Sequence, residues 1–503
     1  MTVITAPRPK PTSVPGATHG WRVPLGIAAV ATIITAAGSW IPSMWGDEAA
    51  SVMSAERSWG SLLRMLGNVD AVHGVYYAFL HLWIDMFGAS AFSVRFPSAL
   101  AIGAVAAGLY VLCTRLGEPR VGILAAAACV ILPRIGYMGT EARSTAFSAA
   151  LAVWLTVLLM ELIRRRFDSR PLIVLYAAGV TLAIHVFLYT VLILIVHGVV
   201  LIASRIDRQS ARRWMTAGAC AVVVSLPFIA IALSQRGQIE FLARRHVTGP
   251  DDILVTQWFG GMPFALIAWA LIVVSAIGWF VSFRAGRSGG RDTSRRMLVV
   301  IGIAWLVIPT ALLLAANAFA GPLYTNRYLS FSAPAAALLI ASGLVALRSS
   351  RVRMVAVAVV MIAALPFQIA QRTPTAKHGN DWSEVSEVIG EMSHPGDGVV
   401  FDDSVRPSRK PRLALHLYPE GFTDVVDLEL RRPFDQTDYL WDEVNDLGAV
   451  SSDLATMSRV WVVERSEHGT DADEAVLRRS GFSLRTTYDT HQNTILLYTK
   501  GTR

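Results

Sequence analysis

Four short polar stretches break into long apolar runs, and they hold the side chains best placed to do chemistry. The first is Met44-Trp45-Gly46-Asp47-Glu48-Ala49-Ala50-Ser51, where two adjacent carboxylates follow directly on an apolar run. Ionisable groups at membrane depth are costly and usually face a cavity or a partner. The plainer reading is that Asp47 and Glu48 cap the next helix, a place that favours Asp. The second stretch, Asp70-Ala71-Val72-His73-Gly74-Val75-Tyr76-Tyr77, groups a carboxylate, an imidazole and two phenols. An interfacial belt with Tyr76, Tyr77, His81 and Trp83 would explain the rings, but not Asp70 or His73. In the third, Arg134-Ile135-Gly136-Tyr137-Met138-Gly139-Thr140-Glu141-Ala142-Arg143, two arginines flank Glu141, as a loop salt bridge or as part of a site. The fourth is Tyr324-Thr325-Asn326-Arg327-Tyr328. Its Arg327 can snorkel to the interface or hold a phosphate through two parallel N–H bonds. His185 and Tyr189 are weaker candidates in a turn between two apolar runs.

The elements that must position these groups are membrane helices. Of 503 residues, 53% are hydrophobic and 16% charged, against about 25% charged in an average soluble domain. Disorder, a coiled coil and a secreted disulfide scaffold are excluded; the three cysteines, Cys113, Cys129 and Cys220, all lie in apolar runs. Counting roughly 20 apolar residues per crossing, eleven spans are expected: 24–42, 93–114, 121–138, 144–163, 171–188, 189–204, 214–233, 262–283, 297–317, 328–347 and 352–370. Residues 1–23, Pro-rich at 7–15, read as a disordered cytoplasmic tail. Residues 24–370 form the transmembrane part, with an external loop at 43–92.

Charge sets the expected sidedness. Residues 1–370 carry 30 Lys/Arg against 14 Asp/Glu, and residues 371–503 carry 15 against 23. With the N-terminus in the cytoplasm, the inward loops hold 21 of those 30 basic residues, as the positive-inside rule requires. The basic excess therefore points to membrane orientation, not to nucleic acid. Residues 371–503 then lie outside the cytoplasm as a small α/β domain. They show a helical pattern at Asp381–Met392, with Asp381 as its cap, and β-rich runs at Gly398–Phe401, Val425–Leu428, Val460–Glu464 and Thr494–Tyr498.

With that orientation all four polar clusters converge on the external face, beneath the α/β domain. A site so built can take a lipid-anchored anionic substrate from the bilayer, with a carboxylate as base, arginines as phosphate ligands and aromatic rings as a platform for a sugar. The pattern resembles the GT-C superfamily of polyprenyl-phosphate-sugar-dependent glycosyltransferases, in particular its protein-mannosyltransferase and aminoarabinose-transferase-like branch. The resemblance rests on Asp47-Glu48 after the first span, His73-Gly74-Val75-Tyr76-Tyr77, Tyr137 through Glu141-Ala142-Arg143, Arg327-Tyr328-Leu329, and Lys377, Asp381 and Trp382 beyond the last span. The second motif departs from the family's usual His-Pro-Pro. The Arg-rich composition is similar to that of actinobacterial members that build cell-envelope glycans.

The resemblance implies a polytopic α-helical GT-C fold of about eleven transmembrane helices in the cytoplasmic membrane, with a C-terminal extracytoplasmic α/β domain. It implies inverting transfer of a sugar, mannose before arabinose, from a polyprenyl-phosphate donor to a hydroxyl of an envelope lipid, glycan or protein. Asp47 would be the general base, with Glu48 and His73 shaping the pocket. Arg327, with Arg134 or Arg143, would neutralise the departing phosphate. Asp70, Tyr76, Tyr77, Glu141, His185, Tyr189 and Tyr328 would line the substrate site. No metal is expected, although Glu48 and His73 are a conceivable ligand pair. The rival class is an envelope-lipid transporter or flippase, which often shows internal repeats; none is found here.

Overall fold

The computed structural model describes residues 20–238, 248–285, 290–321, 323–467 and 471–501. The Pro-rich tail expected at 7–15 lies outside these, and Arg22 and Val23 already belong to the first helix. The membrane part is built from α1 (Arg22–Ala36), α2 (Gly46–Glu56), α3 (Trp59–Asn68), α4 (Gly74–Phe87), α5 (Ala91–Arg115), α6 (Pro119–Ile131), α7 (Pro133–Gly139), α8 (Thr145–Arg164), α9 (Arg170–Val186), α10 (Ile193–Ala203), α11 (Arg208–Ser234), α12 (Met262–Arg284), α13 (Gly290–Ala320), α14 (Ala333–Ala346) and α15 (Ser350–Ala370).

Among the described residues, seven helices are long and apolar enough to cross a membrane, or eight if the bent pair α6–α7 is one span. Shorter apolar helices at Arg22–Ala36, Arg170–Val186 and Leu188–Ala203 occupy the other expected positions. The bend of 66° between α6 and α7 has a local cause. Pro133 pushes Leu132 into extended backbone, with ψ 123°, and the helix cannot continue through it. The expected external loop at 43–92 is largely helical, holding α2, α3 and α4.

Small residues set the packing, as they must where lipid tails compete equally for apolar surface. A Cβ on Gly103 of α5 would sit 2.7 Å from the Ala28 carbonyl of α1, and one on Gly343 of α14 would sit 2.1 Å from the Leu271 carbonyl of α12. α5 and α14 are the enclosed helices of the bundle, whereas α15 is only 11% buried and turns Met354, Val355, Ile362 and Leu365 outward.

Beyond α15 the chain forms α16 (Trp382–Met392) and a sheet of five strands: β1 (Asp397–Phe401), β2 (Val425–Asp427), β5 (Arg459–Arg465), β6 (Phe482–Asp489) and β7 (Asn493–Lys500). The order is β2-β1-β5-β7-β6, parallel across β2-β1-β5 and antiparallel across β5-β7-β6. A small antiparallel ribbon pairs β3 (Leu430–Arg432) with β4 (Glu443–Val444). The four β-rich runs expected from sequence correspond to β1, β2, β5 and β7. β6 was not expected: as an edge strand it is mostly exposed, and its alternation rests on only Phe482, Leu484 and Tyr488.

The cap expected of Asp381 is not made. Its carboxylate instead accepts from the Thr490 hydroxyl at 2.6 Å and the Gln492 amide at 2.6 Å, tying α16 to the β6–β7 turn. One apolar core runs from Val399, Phe401, Trp461 and Ile495 of the sheet through Val385 and Ile389 of α16 to Met53, Leu62 and Met65 of α2 and α3. The sheet domain is therefore packed onto the helices that carry the first polar cluster. Buried Arg57 reinforces the joint, donating to the carbonyls of Thr437, at 2.9 Å, and Tyr439.

Candidate active site

α2 begins where the chain turns beneath the sheet domain. Gly46 starts it because the Ser408 carbonyl lies only 2.1 Å from where a Cβ would be. Asp47 and Glu48 fall in its first turn, where the unpaired N–H groups favour negative charge. Their fates differ, because successive helical residues point about 100° apart. Glu48 is fully buried, and Arg95 of α5 grips both its oxygens, at 2.7 and 2.6 Å. The Ala142 amide donates to it at 2.9 Å. Glu48 is thus a strut that locks α2 to α5, not a pocket-lining acid. Burial opposes its charge, but Arg95 outweighs burial and holds the carboxyl below its ordinary range.

Asp47 is half-buried and sits between two cations. Arg327 donates to its Oδ2 at 2.7 Å. Arg143 donates to its backbone carbonyl at 3.2 Å and to the Ser51 hydroxyl at 3.3 Å. Burial pushes the Asp47 carboxyl up, but Arg327 and then Arg143 overcome this and hold it below its ordinary range. The Arg327 guanidinium also lies 4.9 Å from the centre of the Trp45 ring.

Arg143 reaches His73 as well, with Nη2 3.0 Å from the imidazole Nε2. Burial, then Arg143, lower the His73 pKa to about 4, so the ring is neutral. A guanidinium can only donate; Nε2 is therefore the acceptor and the hydrogen is on Nδ1. Among the described residues that buried Nδ1 has no hydrogen-bond partner. Asp70, in left-handed backbone at φ 59°, accepts from the Tyr77 hydroxyl at 2.7 Å. Gln238 and Gln235 of the α11 end accept from the Asp70 and Ala71 amides. Tyr76 is buried, its hydroxyl without a protein partner among the described residues.

Asp47, His73, Arg143 and Arg327 thus meet, with Asp70 and Tyr77 behind His73. Glu141 is buried nearby with one oxygen unpartnered among the described residues, and burial raises its pKa. Tyr328, beside Arg327, stacks on Tyr189 with centroids 4.8 Å apart, bringing that pair to the Arg327 side. Arg134 is held from outside the cluster. Its guanidinium donates to the carbonyls of Gln257, at 2.8 Å, and Thr256, at 3.0 Å, which ties it to the segment before α12 while three of its five N–H groups remain for another ligand. His185 bonds the Thr181 carbonyl of its own helix at 2.8 Å and stacks on Phe228. It lies in an apolar furrow with Val75 and Cys220, outside the cluster.

Among the described residues no group of three His, Cys, Asp or Glu is placed to hold a metal. The pair Glu48 and His73 does not fit one either, since Arg95 and Ala142 already engage the carboxylate. Sequence reasoning passed over Arg95 and His378. Arg95 carried a signal, an ion four residues into an apolar span.

The site is a carboxylate set between arginines at the end of a helical membrane bundle, capped by a small α/β domain. Residues 74–231 match the family model described as dolichyl-phosphate-mannose-protein mannosyltransferase. The whole chain is similar in structure to ArnT from Cupriavidus metallidurans in the apo state, with a TM-score of 0.56 and 13% identity, covering 96% of this chain and 98% of that one. ArnT bound to undecaprenyl phosphate matches at the same TM-score with 14% identity, again over 96% and 98% of the two chains. AglB from Archaeoglobus fulgidus aligns more distantly, at a TM-score of 0.47 and 11% identity, over 95% of this chain and 74% of that one. No curated protein matches the sequence. The family model covers residues 74–231 of the chain, and the likeness to ArnT, which runs over nearly the whole length of both chains, shows a shared fold.

Proposed function

We propose that the protein is an inverting glycosyltransferase that moves a sugar, mannose before arabinose, from a polyprenyl-phosphate donor to a hydroxyl of an envelope lipid, glycan or protein. The observation that carries this reading is Asp47, an ionised carboxylate set between Arg327 and Arg143. The undecaprenyl phosphate bound by ArnT supports a lipid-linked donor, and the mannosyl family match supports the sugar.

In this reading the acceptor oxygen attacks the anomeric carbon as the bond from that carbon to the phosphate oxygen breaks. Asp47 takes the acceptor proton, and the electron pair leaves on the polyprenyl phosphate. Arg327 neutralises the phosphate, where charge grows most in the transition state. The Asp47–Arg327 pair makes the two roles interdependent. While Arg327 holds it, Asp47 is a weak base; when a donor phosphate draws Arg327 away, the main charge lowering its pKa weakens and its basicity rises. Arg143, steadied by His73, keeps the α2 turn in place, and the His73 Nδ1–H is a donor for a substrate oxygen. No metal enters this scheme, since arginines meet the phosphate.

The test is transfer from radiolabelled polyprenyl-phosphate mannose by purified protein in lipid nanodiscs. Asp47→Asn should cut turnover by about 10²–10⁴-fold while leaving donor binding near that of the parent. Near-parent turnover would remove Asp47 as base.

A further inference from the structure

The segment 371–381, which leads from α15 into α16, passes over the site. Its buried Lys377 places Nζ 3.7 Å from the centre of the Tyr137 ring and donates to the Tyr137 carbonyl at 3.3 Å. The next residue, His378, remains exposed. Its ring lies 4.3 Å, centre to centre, from that of Trp45, and its Nε2 is 3.2 Å from the Tyr137 hydroxyl. Trp45 is the ring that Arg327 also touches, so His378 and the cation assigned to the donor phosphate share one aromatic neighbour.

Much structure is committed to holding this imidazole. His378 and Gly379 are both left-handed, at φ 57° and 77°. A non-glycine residue keeps that conformation only when its surroundings fix it. Here the β6–β7 turn does so: Gln492 Nε2 donates to the His378 carbonyl at 2.9 Å. The same nitrogen lies 2.2 Å from where a Cβ on Gly379 would be. Asp381 then fastens the turn through Thr490 and the Gln492 amide.

We propose that His378 contacts the transferred sugar of the donor, hydrogen-bonding one of its hydroxyls beside the phosphate held by Arg327, and that Gln492 of the sheet domain positions it. This rests on the donor class proposed above. The ring is neutral, since partial burial and then the Arg327 charge lower its pKa to about 4. It therefore adds no cation for the phosphate. A neutral imidazole has one donor and one acceptor nitrogen; the Tyr137 hydroxyl engages Nε2, and Nδ1 serves a sugar hydroxyl.

Two probes separate sugar from phosphate: undecaprenyl phosphate and undecaprenyl-phosphate mannose, with the arabinose donor substituted if the parent binds that instead. Binding is measured on the full-length protein in nanodiscs. His378→Ala should weaken the sugar-bearing donor roughly three- to tenfold and leave undecaprenyl phosphate unchanged. Gln492→Ala, which keeps the imidazole, should shift affinity in the same sense and by less. His378→Asn, which keeps a donor and an acceptor, should recover part of the loss. Equal weakening of both probes, or no weakening of either, overturns the sugar contact. A parent that binds undecaprenyl phosphate but no sugar-bearing form overturns the donor class itself, and this inference with it, whatever the variants do.

Discussion

Asp47 and Glu48 are adjacent and chemically alike, yet one belongs to the site and the other to the scaffold, and their variants should separate cleanly. Glu48→Gln leaves Arg95 buried without its counter-charge, at a cost of about 3–5 kcal/mol. It should show as a large fall in thermal stability of the detergent-purified protein. Combining it with Arg95→Met should restore part of that loss; no recovery would mean that the pair is not the strut described. Asp47 should instead declare itself in the pH profile. Burial opposes the charge of its carboxyl, but Arg327 and Arg143 hold it below the ordinary carboxylate range, so the base is already ionised through the mildly acid range. Because kcat/KM reports the free enzyme, it should stay flat from pH 7 down to 5. Arg327→Ala removes the strongest opposing charge and leaves burial to act, so any residual activity should gain an acid limb at higher pH. A parent limb near pH 6 would contradict the assignment. Arg327→Lys keeps the charge but loses the planar fork. A charge-assisted contact contributes about 1.5–3 kcal/mol, so donor affinity or turnover should fall by roughly one to two orders of magnitude, and further in Arg327→Ala. Equal kinetics for Arg327→Lys would make Arg327 a snorkelling residue.

At the scale of elements, the site depends on where helices start and how closely they approach. Gly46 allows the Ser408 carbonyl to rest on the first turn of α2. Gly46→Ala should displace that turn and lower kcat more than it lowers thermal stability, because only the Asp47 end has to move. Gly343→Val makes the opposite case. Its side chain would meet the Leu271 backbone of α12, far from any polar cluster, and overpacking of this kind costs about 1–3 kcal/mol. Stability measured by thermal aggregation should fall, and folded protein should keep its kinetic constants.

For the whole molecule, the packing of the sheet domain onto α2 and α3 fixes which membrane face holds the chemistry. By the positive-inside rule, the charge asymmetry of the loops predicts that this domain lies outside the cytoplasm. Ser451 is exposed on it. Ser451→Cys should react with a membrane-impermeant thiol reagent in intact cells, and labelling only after lysis would reverse the topology and move the reaction to the other compartment.

The sequence by itself pointed to the membrane class, the positions of the apolar helices, four of the five main strands and four polar clusters gathered on one face. It could do so because an ion beside an apolar run has few places to be, and four such places on one face imply one site. Tertiary structure decided the rest. Which of two neighbouring carboxylates joins Arg327 and which is buried depends on the helix phase and on Arg95, 47 residues from Glu48. That Arg134 is tied to the carbonyls of Gln257 and Thr256, more than 120 residues further along the chain, is likewise a tertiary fact. Edge strand β6 alternates Phe482, Leu484 and Tyr488 with polar residues and was passed over although Phe482 is buried, because most of the strand is exposed and its apolar positions are few. His378 gave no local signal at all, because its place is set by a hydrogen bond from Gln492, 114 residues further along the chain. A sequence pattern records what a residue needs from its neighbours in the chain, and these residues take what they need from elsewhere.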